Sequence, residues 1–136
     1  MVNAVSNSTV PKISIVIGGS YGAGNYAMSG KAFNPQFIFA WPNAKIAVMG
    51  GNQAADVLYQ IKLSKLGKIS DDEKKSIYDD IRLNYEEQSD IKYGAGRLWV
   101  DEIINPKDTR SVIIKSLDVV NSGDYYDKPN YGVFQV

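Results

Sequence analysis

Residues 13–31, ISIVIGGSYGAGNYAMSGK, set five glycines within thirteen residues directly after a short apolar run. That run, Ile13 to Ile17, is β-branched except at Ser14, which suits a short strand buried on both faces. The glycines then force a sharp change of direction, and the pattern predicts a short helix from Asn25 that ends near Gly30. A strand that turns straight into a helix leaves backbone N–H groups pointing outward at the helix start, where the dipole favours negative charge. Such a turn can hold an anion or an oxyanion without a charged side chain. The plainer reading is that the glycines only permit a tight turn and close backbone packing.

The same order recurs downstream. Phe37 to Trp41 and Ile46 to Met49 read as two short strands divided by Pro42-Asn43, and Gly50-Gly51-Asn52 makes a second glycine turn. Asn52 is the expected cap of a helix through Ala54, Ala55, Val57, Leu58, Ile61 and Leu66, with its stop at Gly67. Ser70-Asp71-Asp72-Glu73 matches a capping box, so a charged helical arm is expected over about 70–91, with one narrow apolar stripe at Ile77, Ile81 and Tyr85. A short helix over Tyr93 to Trp99, a short strand over Glu102 to Ile104 and a turn at Asn105 to Asp108 complete the pattern. Asp108 is placed to cap a last helix with Val112, Ile113, Leu117 and Val120, and the tail ends on Tyr131 and Phe134. The sequence carries no internal repeat and no low-complexity tract.

Composition narrows the chemistry. Fifteen basic residues balance fifteen acidic ones in 136 residues, which gives no basic excess for nucleic acid or an anionic membrane. There is no cysteine and no histidine, which removes thiolate catalysis, disulfides, the usual zinc ligands and the usual near-neutral proton shuttle. No metal site is expected. No stretch approaches the ~20 apolar residues of a membrane span, so the chain reads as soluble and carries no address.

Three motifs compete for the glycine loop. Gly18-Gly19-Ser20-Tyr21-Gly22 fits the G-x-S-x-G nucleophile elbow, but that chemistry needs a histidine base, so Ser20 reads better as a small turn residue. Gly22-Ala23-Gly24-Asn25-Tyr26-Ala27 fits a relaxed dinucleotide fingerprint, yet the region where a ribose-binding acid belongs is Trp41-Pro42-Asn43-Ala44-Lys45. Gly30-Lys31 lacks the Ser/Thr of a phosphate loop. The anion or oxyanion turn remains.

Read as a whole, PKISIVIGGSYGAGNYAMSGKAFNPQFIFAWPNAKIAVMGGNQAADVL closely resembles the carboxyltransferase (beta) subunit of biotin-dependent acyl-CoA carboxylases, and most closely the methylcrotonoyl-CoA carboxylase type. Ala95-Gly96-Arg97-Leu98-Trp99, Ile104-Asn105-Pro106-Lys107-Asp108-Thr109-Arg110 and Tyr131-Gly132-Val133-Phe134 resemble that family in the same order. The resemblance implies an α/β, crotonase-like (ClpP/crotonase) superhelix of strand-strand-helix units. Residues 1–136 would form only the later portion of a C domain, a partial domain without the N domain that completes the site.

It also implies the reaction. A carboxyl group passes from carboxybiotin to the γ-carbon of 3-methylcrotonoyl-CoA, a step of leucine degradation, through a dienolate made when the freed ureido nitrogen takes a proton. Backbone donors stabilise the two developing oxyanions. On this resemblance the N–H groups of Ala23 and Gly24 form the hole for the biotin ureido oxygen, Gly22 supplies the bend and the helix from Asn25 adds its dipole. Tyr26, where propionyl- and acetyl-type relatives carry an aspartate, lines the acyl pocket or packs in the core. Gly19, Ser20, Tyr21 and Asn25, in the same turn, are expected to bind substrate. Phe33, with Phe37, Phe39 and Trp41, walls the biotin channel or fills the core, and Gly50-Gly51 borders the same cavity or only starts a helix. Arg97 and Arg110 contact a phosphate or interface carboxylate, or sit in solvated ion pairs.

The implied partners are a biotin carboxylase and biotin-carrier alpha subunit, the missing N domain, other beta subunits in a hexameric core, and an acyl-CoA. The implied compartment is the mitochondrial matrix in a eukaryote and the cytoplasm in a bacterium. Alone, the fragment is expected to be inactive. Two other readings are a non-catalytic assembly or binding module of this fold and a glutaconyl-CoA-type decarboxylase subunit.

Overall fold

The computed structural model describes residues 1–66 and 70–123. The expected helix stop at Gly67 and the aromatic tail with Tyr131 and Phe134 lie outside them. The first helix, α1 (Val2–Asn7), precedes β1 (Ile13–Val16), and the chain then crosses to β2 (Gly19–Tyr21) before α2 (Gly22–Ala27). A 3-10 turn at Lys31–Phe33 leads into β3 (Phe37–Ala40), β4 (Lys45–Ala47) and α3 (Gly51–Leu66). Two strand-strand-helix units therefore follow one another, β1-β2-α2 and β3-β4-α3. The sequence carries no repeat, yet the backbone repeats.

Stacking the units builds two parallel sheets. β1 pairs with β3 in the register Ile13 opposite Phe37 through Val16 opposite Ala40, and β2 pairs with β4 from Gly19 opposite Lys45 to Tyr21 opposite Ala47. The short strand β5 (Glu102–Ile103) continues the first sheet, in the order β1-β3-β5. This is the strand-strand-helix arrangement expected from the sequence, present as part of a domain. Before β5 begins, the buried Ile38 donates its N–H to Asp101 Oδ2 at 2.7 Å and accepts from the Asp101 N–H at 2.8 Å, so one residue finishes the ladder.

The core sits where the sheets meet the short helix α5 (Ile91–Ala95). Ile38, Ala40, Ala44, Ile91 and Val100 form its buried cluster, with Val16, Ile46, Ala95 and Ile103 packed around it. Ile91 is fully buried, so truncation to alanine there removes about 2–5 kcal/mol. α4 (Asp71–Ser89) packs on α3, with Tyr59 and Tyr78 edge to face at 5.5 Å and the Tyr78 hydroxyl donating to Asp56 at 3.2 Å. The predicted capping box is present: the Glu73 N–H donates to Ser70 Oγ, and the Ser70 N–H donates to Glu73 Oε2. The last helix, α6 (Thr109–Asn121), is tied to β3's end by Trp41 Nε1–H donating to Thr109 Oγ1 at 3.0 Å.

Three helix starts differ from the expectation: Asn25 as a first residue, and Asn52 and Asp108 as caps. Asn25 and Asn52 lie inside helices that begin at Gly22 and Gly51, because the glycines themselves enter the first turn. Asp108 stands at the N-cap of α6 without a side-chain hydrogen bond. A preceding 3-10 turn already holds it in helical geometry, whereas a capping side chain needs an extended backbone; Asn105 caps that turn instead, accepting from the Lys107 N–H. Asp90, absent from the expected caps, accepts from the Lys92 N–H at the start of α5.

Candidate functional site

The bend between β2 and α2 rests on Gly22. Its φ of +55° lies in the left-handed region, and a Cβ there would stand 2.9 Å from the Val48 carbonyl oxygen. Both requirements follow from the sheet: Tyr21 pairs with Ala47, so the next residues, Gly22 and Val48, run side by side as their strands end. The two glycine turns are thus neighbours. At the far end of α2 the Gly30 N–H donates to the Asn25 carbonyl at 2.9 Å, and the Asn25 side chain occupies the space a Cβ on Gly30 would need. Ser29, not Gly30, takes the left-handed conformation that ends the helix, with φ +60°.

Ala23 and Gly24 lie in the first turn of α2, ahead of any intrahelical acceptor for their N–H groups. Both are exposed, and among the described residues neither N–H donates to a backbone carbonyl outside its helix. The bend therefore presents two adjacent N–H groups at a helix start, with no ionic side chain between Gly22 and Tyr26.

Beneath the turn is a cavity of about 970 Å³. Ile13 to Ser20 form one wall, with Gly22, Asn25, Tyr26 and Ser29 from α2 and its end, while Tyr85, Gln88, Tyr93 and Trp99 close the opposite side. Of the residues singled out from the sequence, Gly19, Ser20, Gly22, Asn25 and Tyr26 line it; Tyr21, Ala23, Gly24, Phe33, Gly50 and Gly51 do not. Ala23 and Gly24 are exposed residues and do not line the cavity. Gly51 starts a helix.

Tyr26 is 49% exposed and meets Phe33 edge to face at 6.1 Å, an aromatic pair beside the donor turn. Phe37 and Phe39 stack on one another at 5.8 Å, Phe39 is buried, and neither they nor Trp41 line the cavity. Arg97 lies over the Tyr93 ring, 3.4 Å from its centre. The cavity's far wall was not foreseen from the sequence: Tyr85 read only as a stripe residue. Its hydroxyl donates to the Met49 carbonyl at 2.9 Å and accepts the Met49 N–H at 3.1 Å, clamping the second glycine turn.

The hydrogen bond from Lys74, reinforced by its charge, lowers the Asp71 carboxyl, and the Ser70 N–H and hydroxyl lower Glu73. Among the described residues no group of three or more His, Cys, Asp or Glu is placed to hold a metal, and no helix is long and apolar enough to cross a membrane.

The sequence profile of the carboxyl transferase domain matches residues 1–130. The biotin-dependent 3-methylcrotonyl-coenzyme A carboxylase beta1 subunit of Mycobacterium tuberculosis is 46% identical over all of this chain and 26% of its own length. The mitochondrial methylcrotonoyl-CoA carboxylase beta chain of Dictyostelium discoideum is 43% identical over all of this chain and 24% of its own. Among solved structures, the geranyl-CoA carboxylase beta subunit of P. aeruginosa superposes with a TM-score of 0.78 at 39% identity, covering 98% of this chain and 25% of that one. The chain thus spans about a quarter of the length of these relatives. With its profile matched almost end to end and its strand-strand-helix backbone shared with carboxylase beta subunits of crotonase-like fold, the chain belongs to the carboxyl transferase domain family.

Proposed function

We propose that this chain is the biotin-side part of a carboxyltransferase site that moves a carboxyl group from carboxybiotin to 3-methylcrotonoyl-CoA or a similar branched, unsaturated acyl-CoA. The observation that carries the reading is that Ala23 and Gly24, exposed residues in the first turn of α2, have N–H groups ahead of any intrahelical acceptor. Bound carboxybiotin supplies the carboxyl group and, once that has left, a ureido nitrogen able to take a proton from the acyl-CoA.

The donor set suits that group. Two neutral N–H groups bind the ureido oxygen weakly while it is a carbonyl and strongly as it gains charge, which is the differential binding that catalysis requires. An arginine or lysine at this place would bind a resting anion equally well; none stands between Gly22 and Tyr26. Gly22 sets the bend that starts the helix through its left-handed conformation, and the Val48 carbonyl leaves no room for a side chain there. Tyr26 and Phe33 offer an apolar wall for a branched acyl chain.

Ala23 and Gly24 are exposed and lie apart from the cavity, which suits an acyl-CoA side of the site supplied by residues outside this chain. The partners are the rest of a carboxyltransferase subunit, further copies of that subunit in the assembled core, and a biotin-bearing alpha subunit. The test is reconstitution: the chain is co-expressed with the portion of the M. tuberculosis beta1 subunit outside its matched quarter, and biotin carboxylase with its carrier is added. Fixation of labelled bicarbonate into 3-methylcrotonoyl-CoA is then followed. Label enters product with the assembly and not with the chain alone. An assembly that forms but labels glutaconyl-CoA-type substrates only, or none, contradicts the proposal.

A further inference from the structure

One phenol holds two consecutive peptide groups of the second glycine turn. The Tyr85 hydroxyl accepts the Met49 N–H at 3.1 Å and donates to the Met49 carbonyl at 2.9 Å. The Met49 N–H shares a peptide plane with the Val48 carbonyl, whose oxygen stands 2.9 Å from the place a Cβ on Gly22 would take. A trans peptide is planar and carries its N–H and C=O on opposite sides. The bond that fixes the Met49 N–H therefore also fixes the Val48 oxygen against the Gly22 bend.

No other side chain shares this task. Val48 is 75% exposed and Gly50 and Gly51 follow Met49, and among the described residues only Tyr85 bonds through its side chain to the main chain of residues 48–50. Tyr85 is itself held in place. Five residues on, Asp90 forms an antiparallel bridge with Lys45 at the start of β4, so the end of α4 runs back along that strand. Asp90 meets the strand's first residue, and Tyr85 meets the chain just past its last. The Tyr85 ring also lies under the turn, with Cδ1 4.0 Å from the Cβ position of Gly51.

The geometry points to Tyr85 as a positioning residue for carboxyl transfer. Through the Val48–Met49 peptide its hydroxyl keeps the Gly22 bend, and with it the first turn of α2 that carries the Ala23 and Gly24 N–H groups, in one arrangement. Its hydrogen bonds go to Met49, so it acts through the main chain and not on the reacting atoms. The assignment rests on the proposed function, but the link from Tyr85 to the bend is read without turnover, so the two can fail separately.

Tyr85→Phe keeps the ring and removes the hydroxyl. Tyr78→Phe is the control: it lies on the same helix, and its hydroxyl bonds to Asp56 of α3. In the isotope-labelled full chain, Tyr85→Phe shifts the amide resonances of Gly22, Ala23 and Gly24 as well as that of Met49, and Tyr78→Phe leaves all of these in place. In the assembly with the complementary portion of the M. tuberculosis beta1 subunit, Tyr85→Phe lowers kcat about 5- to 50-fold with KM for the acyl-CoA little changed, because displaced donors lose part of their hold on developing charge. Once Ala23→Pro has broken the donor pair, Tyr85→Phe costs less than about threefold more, since groups that act as one unit are not additive. A merely structural loss would be the same in both backgrounds. The inference is overturned by unmoved resonances at Gly22 to Gly24, by parent-like kcat in Tyr85→Phe, by an equal loss in Tyr78→Phe, or by an undiminished loss in the Ala23→Pro background. An Ala23→Pro assembly that turns over as the parent does refutes the proposed function instead, and the resonances still decide whether Tyr85 holds the bend.

Discussion

Substituting alanine at two glycines two residues apart should move stability in opposite directions. At Gly22 a side chain meets a φ of +55°, which costs an L-residue about 1–2 kcal/mol, and a Cβ 2.9 Å from the Val48 carbonyl oxygen. That carbonyl is backbone at the end of a paired strand, so relief requires the two strand ends to part by a few tenths of an ångström. Overpacking of this kind adds about 1–2 kcal/mol. Gly22→Ala therefore loses about 2–4 kcal/mol, a fall in midpoint of about 6–20 °C for a domain of this size. At Gly24 nothing lies within 4 Å of a Cβ and φ is not positive. Gly24→Ala there gains up to about 1 kcal/mol from helix propensity. Urea unfolding followed by far-ultraviolet circular dichroism reads both, with the slope unchanged if only stability has shifted. A Gly22→Ala midpoint equal to the parent's, or a shift of the same sign in both variants, refutes the claim that the bend and not the glycine content is what Gly22 supplies.

Asp101→Ala leaves the buried Ile38 N–H without its acceptor and should cost about 1–3 kcal/mol in the same unfolding assay, whereas exposed Asp118→Ala should change little. Acid should fray the start of α4. Asp71 and Glu73 have lowered folded pKa values, so their contributions are present above the ordinary carboxylate range and vanish as pH falls through the lowered values. Lys74 is raised by its hydrogen bond to Asp71, so its contribution is lost only as pH rises through that raised value. Amide exchange at Glu73 and Lys74 measured from pH 7 down to about pH 3 checks the acid limb, and Ser70→Ala should reproduce it at neutral pH at a cost of about 1 kcal/mol.

What the sequence made legible was local. The strand at Ile13, the capping box at Ser70 and the recurring strand-turn-helix order all depend on neighbours within a few residues, and each is present in the structure. β2 escaped because Gly19-Ser20-Tyr21 has poor strand propensity and becomes a strand only by pairing with β4, twenty-six residues on in register. α1 escaped because its residues bury nothing, so no apolar period marks it. The turn as a donor site could be read, since it needs only a strand, glycines and a helix start. The closeness of its bend to the second glycine turn could not, because that depends on Val48 and the sheet beside it. The far wall of the cavity, from Tyr85 to Trp99, comes from α4, α5 and the bend after α5, remote in sequence from the glycine turn, and an aromatic residue on a helical stripe gives no sign of which void it faces.

The central claim is that the Ala23 and Gly24 N–H groups stabilise charge that develops on the biotin ureido oxygen. Ala23→Pro tests it most directly, because proline is tolerated in a helix's first turn, where the lost N–H has no internal partner. In the reconstituted assembly the account predicts a fall in kcat of about 100- to 1,000-fold for carboxyl transfer with KM for the acyl-CoA little changed and complement binding intact. Turnover within about threefold of the parent, in an assembly of unchanged stability, would contradict it.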